Sequence, residues 1–173
     1  MSMDKIDMEF QDELKYLELR EMLEKADNAV TLAVGTTAAT GAIPIPFADA
    51  PLLIGQQVTL MAAICSIFKI DIKREGLKAL AMAALGAGGA TVVGKTIATN
   101  LMKLIPGAGS VAGGAISAAT AGTVTFAMGK AFIEVCKAAK MGKLSESEIT
   151  SSAGVNMLKK AFKEQLKNGK TKK

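Results

Sequence analysis

An all-α fold is predicted by three features of this 173-residue chain. Half of the residues are apolar but only 4% are aromatic, so the apolar content is Ala, Val, Ile, Leu and Met around 17 glycines. Small residues of this kind suit closely packed helices and do not suit a β-sandwich. Long segments also carry their apolar residues at three- and four-residue spacing. The length is about one domain's worth and enough to bury a core. The predicted architecture is two helical hairpins with Ile-Pro turns, flanked by amphipathic N- and C-terminal helices. It divides into an acidic helix at 1–28, a hairpin core at 29–140, and a basic amphipathic helix with a disordered tail at 141–173.

The elements follow in order. Residues 8–28 read as an amphipathic helix with Tyr16, Leu19, Leu23, Ala26 and Val30 on its apolar face. NAVTLAVGTTAATGA continues as helix, and IPIPFADAP is a rigid turn because Pro44, Pro46 and Pro51 forbid an uninterrupted helix. Asp49 is placed to cap the next helix, LLIGQQVTLMAAICSIF, with Pro51 in its first turn. IDIKREGLK at 70–78 is a charged break between two halves. Beyond it LKALAMAALGAGGATVVGKTIATNLMKL reads as helix, IPGAGS as a turn carrying Pro106 and Gly107, and VAGGAISAATAGTVTFAMGKAFIEVCKAAK as a long helix. Ile43-Pro44 and Ile105-Pro106 thus occupy matching places in the two halves, a weak internal repeat. Ser145 and Glu148 have capping-box spacing and open a helix with Val155, Leu158, Phe162 and Leu166 on one face and Lys159, Lys160, Lys163 and Lys167 on the other.

Charge is distributed unevenly. Residues 1–29 carry nine acids and four bases, whereas 130–173 carry eleven lysines and four glutamates. Between them, 28–68 holds only Asp49 and 79–129 only Lys95 and Lys103. The acidic start lacks an uninterrupted apolar core, so no signal peptide is expected. The absence of His excludes a His-based triad and most zinc sites. Cys65 and Cys136 lie in apolar segments and read as reduced core thiols. No catalytic residue, metal or cofactor is expected. The C-terminal lysines lack the interleaved aromatics of a nucleic-acid site and suit an anionic membrane surface.

One stretch tests the non-enzymatic reading. Gly89, Gly94, Lys95 and Thr96 form a literal G-x-x-x-x-G-K-T, in which backbone N–H groups would cradle phosphates and Lys and Thr would serve phosphate and Mg²⁺. That chemistry needs a buried strand ahead of the loop. Here LKALAMAAL is a helix former, and no Asp follows Asp71 to supply a magnesium ligand. The match therefore reads as chance, with Gly86, Gly88, Gly89 and Gly94 as close-packing positions on a helix. Gly109 and Gly113 make a GxxxG, and Gly114, Ala118 and Gly122 continue a small-residue stripe suited to tight helix crossing. Spanning a bilayer takes about 20 apolar residues, and 50–68 and 104–129 are uncharged for 19 and 26 positions, so their length permits insertion.

AIPIPFADAPLLIGQQVTLMAAICSIFKID, followed by LMKLIPGAGSVAGGAISAATAGTVTFAMGKAFI, resembles the domain of unknown function often found C-terminal to Era-like and HSR1-like GTPase domains, as in YcjF-like inner-membrane proteins. The resemblance covers about residues 28–138. It implies an all-helical, membrane-associated domain that works beside a GTPase, with no catalytic residues to carry over. Only about 28 residues precede it, so a GTPase partner would act in trans. The expectation is a non-enzymatic, membrane-associated helical interaction domain. The alternatives are a soluble helical adaptor that binds membranes peripherally, or a small-residue homo-oligomer or pore. Its place would be the inner membrane with both termini in the cytoplasm, or the cytoplasm with peripheral attachment.

Overall fold

The computed structural model describes residues 3–40, 45–46, 50–86, 115–116 and 118–168. Within these the fold is all-α apart from one two-residue β pairing. The helices are α1 (Met3–Thr40), α2 (Ala50–Ile67), α3 (Arg74–Ala84), α4 (Ala118–Lys140), α5 (Glu146–Ile149) and α6 (Ser152–Asn168). Strands β1 (Ile45–Pro46) and β2 (Ala115–Ile116) pair antiparallel, Ile45 opposite Ile116 and Pro46 opposite Ala115. The long helix expected from Val111 therefore begins only at Ala118, because Ala115 and Ile116 are engaged in extended pairing instead.

The acidic N-terminal helix and the first core helix are one continuous element of 38 residues. From Leu19 onward α1 turns Met22, Ala26 and Val30 into the core, with Leu19, Leu23, Ala33 and Val34 packed around them. Tyr16, expected on this apolar face, is 67% exposed. Residues 5–18 are exposed throughout, so the N-terminal half of α1 projects past the bundle.

Helix α4 is the axis of the fold and packs most extensively against α1 and α6. Its buried residues Ala121, Val124, Ala127, Met128, Ala131, Phe132, Ile133, Val135 and Cys136, with Gly122 and Gly129, cover about two-thirds of the helix, as a helix enclosed by neighbours requires. Gly129 makes this enclosure possible. A Cβ there would lie 2.5 Å from Val30 Cγ2 and 3.1 Å from Leu60 Cδ2, so its bare backbone is where α1 and α2 both press on α4. Gly122 occupies the same seam one heptad earlier but less tightly, since a Cβ there would stand 3.8 Å from Val34 Cγ1.

Pro51 lies in the first turn of α2, as expected. Leu53, Ile54, Val58, Leu60, Met61, Ile64 and Cys65 carry the buried face of the helix. It ends at Lys69, whose φ of 52° is left-handed, with Ile70 N–H donating to Cys65 O at 2.9 Å. This is a Schellman stop with a non-glycine residue at the left-handed position, at a cost of about 1–2 kcal/mol. Burial of Phe68 and Ile70 on either side and the 2.8 Å ion pair from Lys69 to Glu18 of α1 oppose that cost.

Helix α3 buries Leu77, Leu80, Ala81 and Ala84 and then stops. The continuous helix expected from Leu77 onward is corrected here. Leu85 N–H donates to Ala81 O, Gly86 N–H to Ala83 O, and Gly86 adopts a φ of 76°. Gly86 is thus a helix terminator and not a packing position within a helix, because glycine enters the left-handed region without a Cβ clash.

The capping box is present: Ser145 N–H and Oγ donate to Glu148 Oε2 at 2.8 and 2.7 Å. It opens only the single turn α5, and the chain turns at Thr150–Ser151 before α6. The expected uninterrupted helix is therefore broken. Gly154 is the reason the two pieces can pack, since a Cβ there would strike the Ile149 carbonyl group.

Candidate functional site

Helix α6 lays Leu158, Phe162 and Leu166 into the core, one turn apart, and so fixes which way its other face points. At 100° per residue Lys159, Lys160, Lys163 and Lys167 fall within about 100° of one another on the outer side. All four are exposed, and none forms an ion pair with a described residue. Other lysines are already engaged: Lys25 with Glu21 at 2.6 Å, Lys130 with Asp27 at 2.8 Å and Lys69 with Glu18. The α6 lysines form a rigidly presented cationic face open to an external anion.

A concavity of about 500 Å³ lies beside α1 and α2. Ala33, Gly55 and Ala63 make it largely apolar, and Thr36, Gln56, Thr59, Arg74 and Thr125 are its polar lining. Gln56 Oε1 is buried without a hydrogen-bond partner among the described residues. One position on, Gln57 is fully buried and its Nε2 donates to Thr125 Oγ1 of α4 at 3.0 Å, while its own Oε1 has no hydrogen-bond partner among the described residues. Thr59 Oγ1 donates to Gly55 O at 2.9 Å and is therefore occupied within its own helix. Among its described lining residues no nucleophile stands beside a base. Among the described residues no group of three or more His, Cys, Asp or Glu is placed to hold a metal ion.

The two cysteines, far apart in sequence, meet between α2 and α4 as free, buried thiols. The Cys136 thiol is pushed up by its hydrogen bond with Cys65 and by burial, which keeps it protonated. On the surface, Lys69 holds the Glu18 carboxyl below its ordinary value through a hydrogen bond and its charge. Ser145 does the same for Glu148 through its hydroxyl and its backbone N–H.

Of the residues singled out in the sequence, Lys159, Lys160, Lys163 and Lys167 come together on one face, and Gly122 lies in the α1–α4 seam. Pro46 is in β1 and Pro51 in α2. Pro44, Asp49, Pro106, Gly107, Gly109, Gly113, Gly114 and the P-loop-like Gly89, Gly94, Lys95 and Thr96 lie outside the described residues. The residues that lead toward the G-x-x-x-x-G-K-T form the α-helix α3. No helix among the described residues is long and apolar enough to cross a membrane, so the insertion that length alone permits over 50–68 finds no support in α2. Gln56 and Gln57 interrupt its apolar run.

Three features escaped sequence reading. Gly129 stands one heptad beyond Gly122, a spacing that was available as a signal. Gly154 depends on the break after α5, which no local pattern announces. The third is the exposed apolar set Ile6, Phe10, Leu14 and Leu17, which has helical spacing but merged in the sequence with the charged background.

A family model described as "Domain of unknown function (DUF697)" matches residues 6–165. No curated protein and no solved structure matches the chain.

Proposed function

The chain belongs to the DUF697 family, and from that premise we propose that it is a non-enzymatic helical interaction domain that attaches peripherally to anionic membrane surfaces. The observation that carries this reading is the α6 face, where four exposed lysines, without an ion pair among the described residues, are held by the buried anchors Leu158, Phe162 and Leu166. Each lysine near an anionic leaflet contributes about 1 kcal/mol, so four are enough for reversible attachment. Peripheral attachment is favoured over insertion because no described helix is long and apolar enough to span and the apolar face of α2 is committed to the core. It is favoured over a small-residue pore because Gly122 and Gly129 are used within the chain, against Val34, Val30 and Leu60. By its resemblance to domains that accompany Era-like GTPases, the domain would act at the cytoplasmic face beside a GTPase.

Vesicle co-sedimentation tests the proposal. The chain should bind vesicles containing phosphatidylserine and not purely phosphatidylcholine vesicles, with binding screened by salt. Lys160→Glu combined with Lys163→Glu and Lys167→Glu should abolish it. Binding that survives the charge reversal, or no binding to anionic vesicles, would overturn it.

A further inference from the structure

The N-terminal half of α1 carries an apolar surface that the bundle does not use. Ile6, Phe10, Leu14 and Leu17 are 47%, 57%, 44% and 49% exposed, which is unusual for four large apolar side chains on one short stretch. Their spacing of four, four and three puts them within about 80° of arc on the helix. The face that enters the core through Met22, Ala26 and Val30 lies about half a turn away, so the stripe cannot be an extension of the core contact. This is the anchor pattern of a helix that lies in a groove.

The charges around the stripe define what would cover it. Asp7 borders it on one side and Glu13 and Glu9 on the other, and residues 3–18 hold six acids against Lys5 and Lys15. A second copy of the same stripe would bring like charge against like charge, and an anionic leaflet would be repelled. We infer that residues 6–17 of α1 dock into an apolar groove rimmed by Lys or Arg on a partner polypeptide, with Ile6, Phe10, Leu14 and Leu17 as anchors. This names a partner class for the interaction domain proposed above and rests on that reading, but it uses a different surface from the lysines of α6.

The test uses the whole chain and two fluorescent synthetic helical peptides that share a leucine face, one rimmed by Lys and one by Glu. The Lys-rimmed peptide should bind, and raising ionic strength from about 0.05 to about 0.5 M should weaken it. The Glu-rimmed peptide should not bind. Phe10→Ser with Leu14→Ser should weaken binding by at least about tenfold. Both sites are exposed, so the variant's melting temperature should match the parent's. Reversing the α6 lysines should leave peptide binding intact, which separates failure here from failure of the membrane reading. Several results would overturn the inference: no binding, equal binding of both peptides, or full binding by the double variant. So would a wild-type dimer lost in the double variant, which would make the occupant a second copy, or vesicle binding lost with it, which would make it lipid.

Discussion

Replacing Gly154 with Ala should destabilise the fold, although Ala is the better helix former. An added Cβ would meet the Ile149 carbonyl oxygen and lie 2.5 Å from its carbonyl carbon and 2.6 Å from its Cα. These are backbone atoms, so no side-chain rotation relieves the contact. The chain can accept the overpacking, at about 1–3 kcal/mol, or open the α5–α6 corner and expose the fully buried Ile149, at about 1.5–3 kcal/mol. Alanine returns about 1 kcal/mol of helix propensity, so the net loss is up to about 2 kcal/mol. For a chain of this size that is a fall in melting temperature of up to about 8 °C. Gly35→Ala in α1 is the comparator, because a Cβ there would meet nothing within 4 Å. It should stabilise by up to about 1 kcal/mol. Urea unfolding followed by far-ultraviolet circular dichroism reads both. If the two alanine variants shift stability by the same amount and sign, the claimed collision at the α5–α6 corner does not exist.

Two further outcomes are expected. Thr125→Val should cost about 1–3 kcal/mol by leaving the buried Gln57 Nε2 unpaired, whereas Gln57→Leu with Thr125→Val should recover most of it; strictly additive losses in a double-mutant cycle would contradict the pairing. Glu148, held below its ordinary value of 4.5 by Ser145, should contribute stability that is complete above that value and lost as pH falls through its lowered folded-state value. Glu148→Gln should accordingly melt below the parent at neutral pH and converge with it in acid, and a constant gap across the range would refute the assignment.

Much of the architecture was legible because it is encoded by local rules. Helical periodicity locates α2, the second half of α1 and the α6 anchors Leu158, Phe162 and Leu166 without reference to the rest of the chain. The Ser145–Glu148 box needs only four consecutive residues. The cationic face was equally visible, since once Phe162 points inward the 100° step sends Lys160 and Lys163 outward. Resemblance in the two Ile-Pro stretches led to the right family.

What the residues could not determine alone was which apolar face finds a neighbour. Tyr16 and Leu19 look alike in the amphipathic pattern, but α1 projects past the bundle, so one is solvated and the other packed. Gly86, Gly129 and Gly154 are indistinguishable as letters, yet one stops a helix, one admits two helices against α4, and one clears a carbonyl. Each role follows from what stands opposite the missing Cβ. The sequence by itself determined the helical class, the Ser145–Glu148 box and the poles of charge, because these depend on composition and on neighbours within a turn. Only the tertiary structure decided that Gln57 meets Thr125, that Cys65 meets Cys136, and that the apolar stripe at Ile6–Leu17 is left uncovered, because those depend on which helices the chain brings together across distances no local pattern records.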